Sequence, residues 1–247
     1  MIAVLFITDR GRTAASDLVR LLDDSEAVDL RGKGLLRVWV QENFHRYEGH
    51  VFIMSLGIVY RMLNGLITDK YRDPAVVVVD DARRYAIAAL SGHEGGANRL
   101  CWKVAGLLGC EPVVTTASDT NKPITLGAGC RKGVSCGEVE NAVLEALEVH
   151  RLETGDVRLA GSIDIKRNEE GLLKAFDKLK IPLVFLDSRR IRDFCGSESD
   201  SEAAIRQLGV PGVSEPCALL LGRASELIMP RRIFGRVTLA LAREEYP

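Results

Sequence analysis

Between residues 90 and 99 the sequence reads LSGHEGGANR, which sets the chain's only adjacent histidine–glutamate pair, His93 and Glu94, among glycines. An imidazole can take a proton near neutral pH, so His93 or Glu94 is a candidate general base. Ser91 and Asn98 are candidate hydrogen-bond donors to a ligand. Gly92, Gly95 and Gly96 can adopt positive φ and let a bulky ligand approach the main chain. The competing reading is a turn whose histidine and glutamate merely face solvent.

The motif follows the apolar run YAIAAL and precedes a helical pattern, so it falls at a strand's carboxyl end, where open α/β sheets place ligands. GIVYR, with Gly57 and Arg61, and TTASD, with Thr116 and Asp119, also follow apolar runs. All three loops converge on one edge if the sheet is parallel here. Asp80 and Asp81 can bind a cation or close a solvated turn with Arg83 and Arg84.

Residues 127 to 133, GAGCRKG, also follow a strand pattern and precede a helix. Their third glycine comes one residue too late for G-x-G-x-x-G, and no Walker A pattern occurs, which argues against a nicotinamide or ATP site. What is left is a glycine-lined loop holding Gly129, Arg131 and Lys132, directed at a helix N-terminus that favours anions. The alternative is a tight connection with solvated cations. The next residues, GVSCG, match the nucleophile elbow G-x-S-x-G around Ser135. Glu138 stands three residues on, the capping-box spacing, and His150 ends the same helix too far along it to serve Ser135, so a cap is the better reading. Ser199 to Glu202 form a second such cap.

The elements that must hold these residues alternate along the chain. Strands are expected at 2–8, 35–40, 51–56, 75–80, 85–90 and 112–116, several apolar on both faces, and helices at 13–22, 58–67 and 97–108, the last closed by Gly109. The turn formers SDTNKP mark a boundary, giving domains 1–122 and 123–247. The second domain repeats the alternation: a strand at 124–129, a helix near 135–150, a strand at 156–164, a helix at 169–179, a strand at 182–186, helices within 187–208, and paired strands near ELIMP and FGRVTLALA. The expected class is α/β: two layered domains with mostly parallel or mixed sheets.

With 247 residues, 47% of them hydrophobic, and a formal net charge of −1, the chain is globular and has no overall basic field for nucleic acid. Its opening apolar run is too short for a signal sequence or a membrane span, so a cytoplasmic protein is expected. Six cysteines without a C-x-x-C pair fit scattered reduced thiols, and no metal ligands are assigned.

GIVYR (57–61), DPAVVVVDD (73–81), LSGHEGGANRL (90–100) and VTTASD (114–119) resemble the amino-terminal part of the CbiG family, the cobalt-precorrin-5A hydrolases of anaerobic cobalamin biosynthesis. LGAGCRKGVS (126–135), SIDIKRNEEGL (162–172), GVPGVSEPCALL (209–220) and RRIFGRVTLALA (231–242) resemble its carboxyl-terminal domain. A middle segment common in the family is missing, which makes this a compact form. The resemblance implies opening of a ring A δ-lactone on a cobalt-bound contracted macrocycle, with loss of acetaldehyde to give cobalt-precorrin-5B. No resident cofactor is implied, because the cobalt arrives with the substrate.

Such a reaction needs a base, oxyanion donors and cations for the substrate's carboxylate arms. His93 and Glu94 fit the base, with Glu94 alternatively orienting the imidazole. Ser91, Asn98 and the glycine N–H groups fit the oxyanion, and Thr116 or Asp119 can position water. Arg61, Arg131, Lys132, Lys166 and Arg167 are candidates for the carboxylate arms. The only partner implied is the small-molecule cobalt tetrapyrrole, with no nucleic acid and no membrane; a homo-oligomer or contact with neighbouring pathway enzymes is left open. The other readings are a non-catalytic corrinoid carrier and a serine esterase using Ser135.

Overall fold

The computed structural model describes residues 1–194 and 212–245. They form two compact α/β units, Met1–Asp119 and Thr120–Pro247, each with its own sheet.

In the first unit, β1 (Ile2–Phe6), β2 (Ser25–Asp29), β3 (Gly49–Ile53), β4 (Ala75–Val79), β5 (Tyr85–Leu90) and β6 (Glu111–Val113) form one sheet in the order β2-β1-β3-β4-β5-β6. Helices α1 (Asp9–Val19), α2 (Leu35–Asn43), α3 (Leu56–Leu63), α4 (Ala97–Leu108) and the single turn α5 (Ala117–Thr120) connect them. Alternate strand residues point to opposite faces. Val51, Ile53, Val77 and Val79 therefore pack with α1 and α4, while Phe52, Val76 and Val78 pack with α2 and α3. This two-sided burial explains why the central strands are apolar throughout. Gly109, with φ of 74°, terminates α4 as its sequence suggests.

The first unit departs from its sequence pattern at one predicted strand and contains one strand that the pattern does not show. Residues 35–40 are helix rather than strand: Val40 and Phe44 are buried at helical spacing against the sheet, whereas Leu35 and Val38 of the same run stay exposed. The β-branched and aromatic content of LLRVWV imitates a strand, and the helical stripe decides. Strand β2 passes unnoticed in the sequence because SEAVD lies on the sheet edge and is mostly polar.

One pairing decides which loops of the first unit share an edge. β1, β2, β3 and β4 run parallel, but β5 turns back and pairs antiparallel with β4, with Leu90 opposite Val76 and Ala86 opposite Val79. β6 runs parallel to β5. The carboxyl ends of β5 and β6 thus lie at the edge where β3 and β4 begin.

In the second unit, β7 (Ile124–Cys130), β8 (Val157–Ile163), β9 (Leu183–Leu186), β10 (Ser225–Phe234) and β11 (Val237–Glu244) take the order β10-β11-β7-β8-β9. β7, β8 and β9 are parallel, and the β10–β11 hairpin is antiparallel to β7. Helices α6 (Cys136–Val149) and α7 (Glu170–Leu179) pack on the face formed by Ile124, Leu126 and Ala128. The other face meets α9 (Ser214–Leu220), which follows α8 (Ser188–Phe194) in the described chain. Here a Cβ on Gly127 would stand 1.7 Å from the Ser214 carbonyl oxygen, and Thr125 Oγ1 donates to the Ala218 carbonyl at 2.7 Å. The glycines of GAGC therefore admit a helix. The cap at Ser199 and the helical pattern beyond Phe194 lie outside the described residues.

Candidate active site

The loop from Ser91 to Gly96 leaves β5 and enters α4 through two left-handed residues, Ser91 at φ 57° and Gly96 at φ 82°. The Ala97 N–H donates to the Ser91 carbonyl at 3.1 Å and the Asn98 N–H to the Gly92 carbonyl at 2.9 Å. No N–H group from Gly92 to Gly96 donates to another group among the described residues. These amides cluster at the N-terminus of a 12-residue helix, where negative charge is favoured. Ser91 is 8% exposed and its Oγ is buried without a hydrogen-bond partner among the described residues.

Asn98, on the first turn of α4, reaches into the loop that follows β6. Its Nδ2 donates to Asp119 Oδ2 at 2.6 Å and to Thr116 Oγ1 at 3.0 Å, and Thr116 Oγ1 lies 3.3 Å from Asn98 Oδ1. Asp119 Oδ2 also faces His93 Nδ1 at 3.6 Å. Asp119 is buried, while the His93 side chain is 59% exposed. A largely open imidazole is thus backed by a buried carboxylate that a buried amide holds in place. A Cβ on Gly92 would come within 2.8 Å of Thr116 Oγ1 and 2.9 Å of Asn98 Oδ1, so the glycine leaves this network room to close.

Glu94 turns the other way. Its Oε1 accepts from Lys70 Nζ at 3.4 Å, and Asp119 takes the place beside the imidazole that Glu94 was a candidate to fill. The loop before β4 that carries Lys70 is a close neighbour: a Cβ on Gly95 would meet Ser91 Cβ at 2.4 Å and the Asp73 carbonyl at 3.1 Å.

The structure gathers Ser91, Gly92, His93, Glu94, Gly95, Gly96, Asn98, Thr116 and Asp119 at one sheet edge, and it separates Gly57 and Arg61 from them. Those two sit on α3, after the carboxyl end of β3, at the opposite edge, a strand length or about 15 Å away. The parallel sheet that would have united them is broken by β5. Arg61 instead shares an open depression of about 460 Å³ with Arg37, Tyr60 and Asn64. Asp80 closes the β4–β5 turn, accepting from the N–H groups of Ala82, Arg84 and Tyr85.

In the second unit Gly129 is not a loop residue. It is buried within β7, where a Cβ would lie 2.6 Å from Thr238 Oγ1. The loop proper carries Arg131 and Lys132, both exposed, and Gly133 at φ 72°. Glu169 joins it to the end of β8, accepting from the Gly133 N–H at 2.7 Å while facing Lys166 Nζ at 3.6 Å. Arg236 donates to the Gly133 and Lys132 carbonyls. Lys166 is therefore mostly enclosed and paired; Arg167, half-buried, follows it on the same turn.

Ser135 closes a capping box: its hydroxyl donates to Glu138 Oε2 at 2.8 Å and accepts from the Glu138 N–H at 3.2 Å. The Ser135 N–H, which donates to Glu138 Oε2 at 2.9 Å, and then the Ser135 hydroxyl hold the Glu138 carboxyl below the usual range. His150 caps the far end of the same helix. Among the described residues, no group of three or more His, Cys, Asp or Glu side chains is placed to hold a metal ion, and no helix is long and apolar enough to cross a membrane.

Residues 38–119 match the cobalamin synthesis G N-terminal model and residues 124–242 the cobalamin synthesis G C-terminus model. The chain belongs to the cobalamin synthesis G family. A cobalt-precorrin-5A hydrolase of Priestia megaterium is 25% identical, with 97% of this chain and 94% of that protein covered. The alignment with it extends over 352 positions, so the relative carries segments that this 247-residue family member lacks. A cobalt-precorrin-5A hydrolase of Salmonella typhimurium is 48% identical over 82 residues, 33% of this chain and 23% of that one. Among solved structures, CobE, a protein from the cobalamin biosynthetic pathway, is 31% identical over 50% of this chain and 91% of its own, with a TM-score of 0.46. The two family models leave only four residues between them, as befits a compact member of the cobalamin synthesis G family.

In the sequence Asp119 reads as a water-positioning group, and nothing near Lys70 marks it as part of a site. Only contacts between loops distant in sequence reveal their neighbours.

Proposed function

We infer that this chain is a cobalt-precorrin-5A hydrolase that opens the ring A δ-lactone of a cobalt-bound tetrapyrrole and releases acetaldehyde. The observation that carries the reading is the His93–Asp119–Asn98 relay beside the amides of residues 92 to 96. Membership of the family and the names of its relatives support the substrate class.

In this reading Asp119 holds His93 through Nδ1, leaving Nε2 to take a proton from water as its oxygen attacks the lactone carbonyl. Charge gathers on the carbonyl oxygen, and N–H groups of the glycine loop stabilise it. Collapse of the tetrahedral species breaks the ring C–O bond and yields a carboxylate and a hydroxyl. The hydroxyl then loses its proton to a base, its C–O bond becomes a carbonyl, and the adjacent carbon–carbon bond breaks. Acetaldehyde leaves, and the electron pair passes into the conjugated macrocycle, which is protonated. Arg131 and Lys132 of the second unit are exposed and without carboxylate partners among the described residues, a chemistry that suits carboxylates in general.

The test is acetaldehyde release from cobalt-precorrin-5A by the purified protein. Wild type should turn over, and His93→Ala should lose roughly 10²- to 10⁴-fold in kcat while still binding. Saturable binding without acetaldehyde would make the protein a carrier and end the hydrolase reading. Labelling of Ser135 by an organophosphonate would instead identify an esterase.

A further inference from the structure

We propose that the turn from Asp69 to Asp73 is a recognition element, presenting Lys70, Tyr71 and Arg72 to a flat, carboxylate-bearing conjugated ring beside His93. It rests on the reading above and names the part of the site that would grip the macrocycle.

The turn is rigid for reasons visible in its own atoms. Asp73 is buried, and its carboxylate accepts from the Thr68 N–H at 2.9 Å, from Thr68 Oγ1 at 2.8 Å and from the Asp69 N–H at 3.0 Å. Asp69 Oδ1 accepts from the Tyr71 N–H at 3.0 Å, and its carbonyl accepts from the N–H groups of Arg72 and Asp73. A segment held by this many bonds shows its exposed side chains in one arrangement, which lowers the ordering cost of binding.

Those side chains are an unusual set to leave in water. Tyr71 is 69% exposed, more than any other large hydrophobic side chain among the described residues. Lys70 Nζ sits 4.7 Å from the Tyr71 ring centroid and 3.4 Å from Glu94, the neighbour of His93. Arg72 is exposed and without an ion-pair partner among the described residues. An aromatic ring offers a stacking surface to a conjugated plane, and the two flanking cations suit carboxylates carried at that plane's rim. The position follows from topology. The segment runs into β4, whose amino end lies beside the carboxyl end of β5, so the turn and the His93 loop share one edge. Gly95 lets them touch, since a Cβ there would press on the Asp73 carbonyl.

The experiment titrates the full chain with cobalt uroporphyrin, a flat octacarboxylate, following its Soret band, and measures turnover of cobalt-precorrin-5A in parallel. Wild type should bind saturably. Tyr71→Ala and Lys70→Met should each weaken binding at least fivefold, Tyr71→Phe should retain it, and the turnover defect should fall on KM rather than kcat. Equal affinity in wild type and both disruptive variants would overturn the proposal, as would a Tyr71→Phe defect matching that of Tyr71→Ala. Binding that depends on Tyr71 without acetaldehyde release would leave the recognition element standing and remove the hydrolase reading. Both side chains are exposed, and unchanged thermal unfolding of the variants separates recognition from folding.

Discussion

Glu94 is the sequence neighbour of His93, yet the carboxylate that meets the imidazole is Asp119, from the next loop. The difference is one of environment. Glu94 lies at the surface and is drawn to Lys70, whereas Asp119 is buried, and Asn98 holds it at the geometry that lets it act on His93. Replacing Asp119 by Asn should lower kcat by roughly one to two orders of magnitude through lost orientation. An unchanged kcat in Asp119→Asn would show that Asp119 does not act on His93. Ser135 is the contrasting case. Ser135→Ala should cost the second unit about 1 kcal/mol in chemical denaturation, the usual worth of a helix cap, and leave acetaldehyde release intact.

At the scale of elements, the glycines of the second unit tell two kinds of position apart. Gly127 lies in β7 under α9, so a methyl group there would collide with the Ser214 carbonyl, while a Cβ on Gly137 in α6 meets nothing within 4 Å. Gly127→Ala should destabilise the second unit by about 3 kcal/mol, and Gly137→Ala should be neutral or stabilising by up to about 1 kcal/mol, both read from urea midpoints. Equal effects would mean that the GAGC glycines do not admit the helix. The GAGCRKG stretch suggests a phosphate loop because its spacing nearly matches one, but in the fold its first two glycines are strand residues whose missing side chains are filled by neighbours.

At the scale of the whole molecule, the first unit contains a titratable group that the proposed reaction does not use. His50 on β3 is buried within Trp39, Phe44, Tyr47 and Phe52, stacked on Phe44 at 5.3 Å, with Nε2 2.8 Å from the Phe44 carbonyl oxygen. Burial pushes its pKa down to about 4. Above the unfolded value of about 6.5 both states are neutral and no penalty arises. As pH falls from there toward 4, the unfolded chain binds a proton that the native core refuses, so stability drops by up to about 3 kcal/mol. Denaturation of wild type and His50→Phe between pH 7 and 4 should show this slope in wild type and lose most of it in the variant; parallel curves would rule out His50 as its source.

The α/β alternation, the helix over 97–108 with its Gly109 terminus, the Ser135 cap and the glycine-bound His93 loop were all legible in the sequence, because each rests on interactions within a few residues. The family resemblance was legible for the same reason, since its blocks are local. Strand direction was not. Nothing local in YAIAAL tells whether it runs with or against AVVVVD, for both strands are apolar and bury themselves equally well either way. The antiparallel turn of β5 follows from how the sheet closes its hydrogen bonds; it put the Lys70 turn beside the His93 loop and sent Arg61 to the far edge, while the parallel pairing of β6 with β5 brought Asp119 to His93. Residue chemistry was settled by sequence, and which residues meet was settled by the pairing of strands.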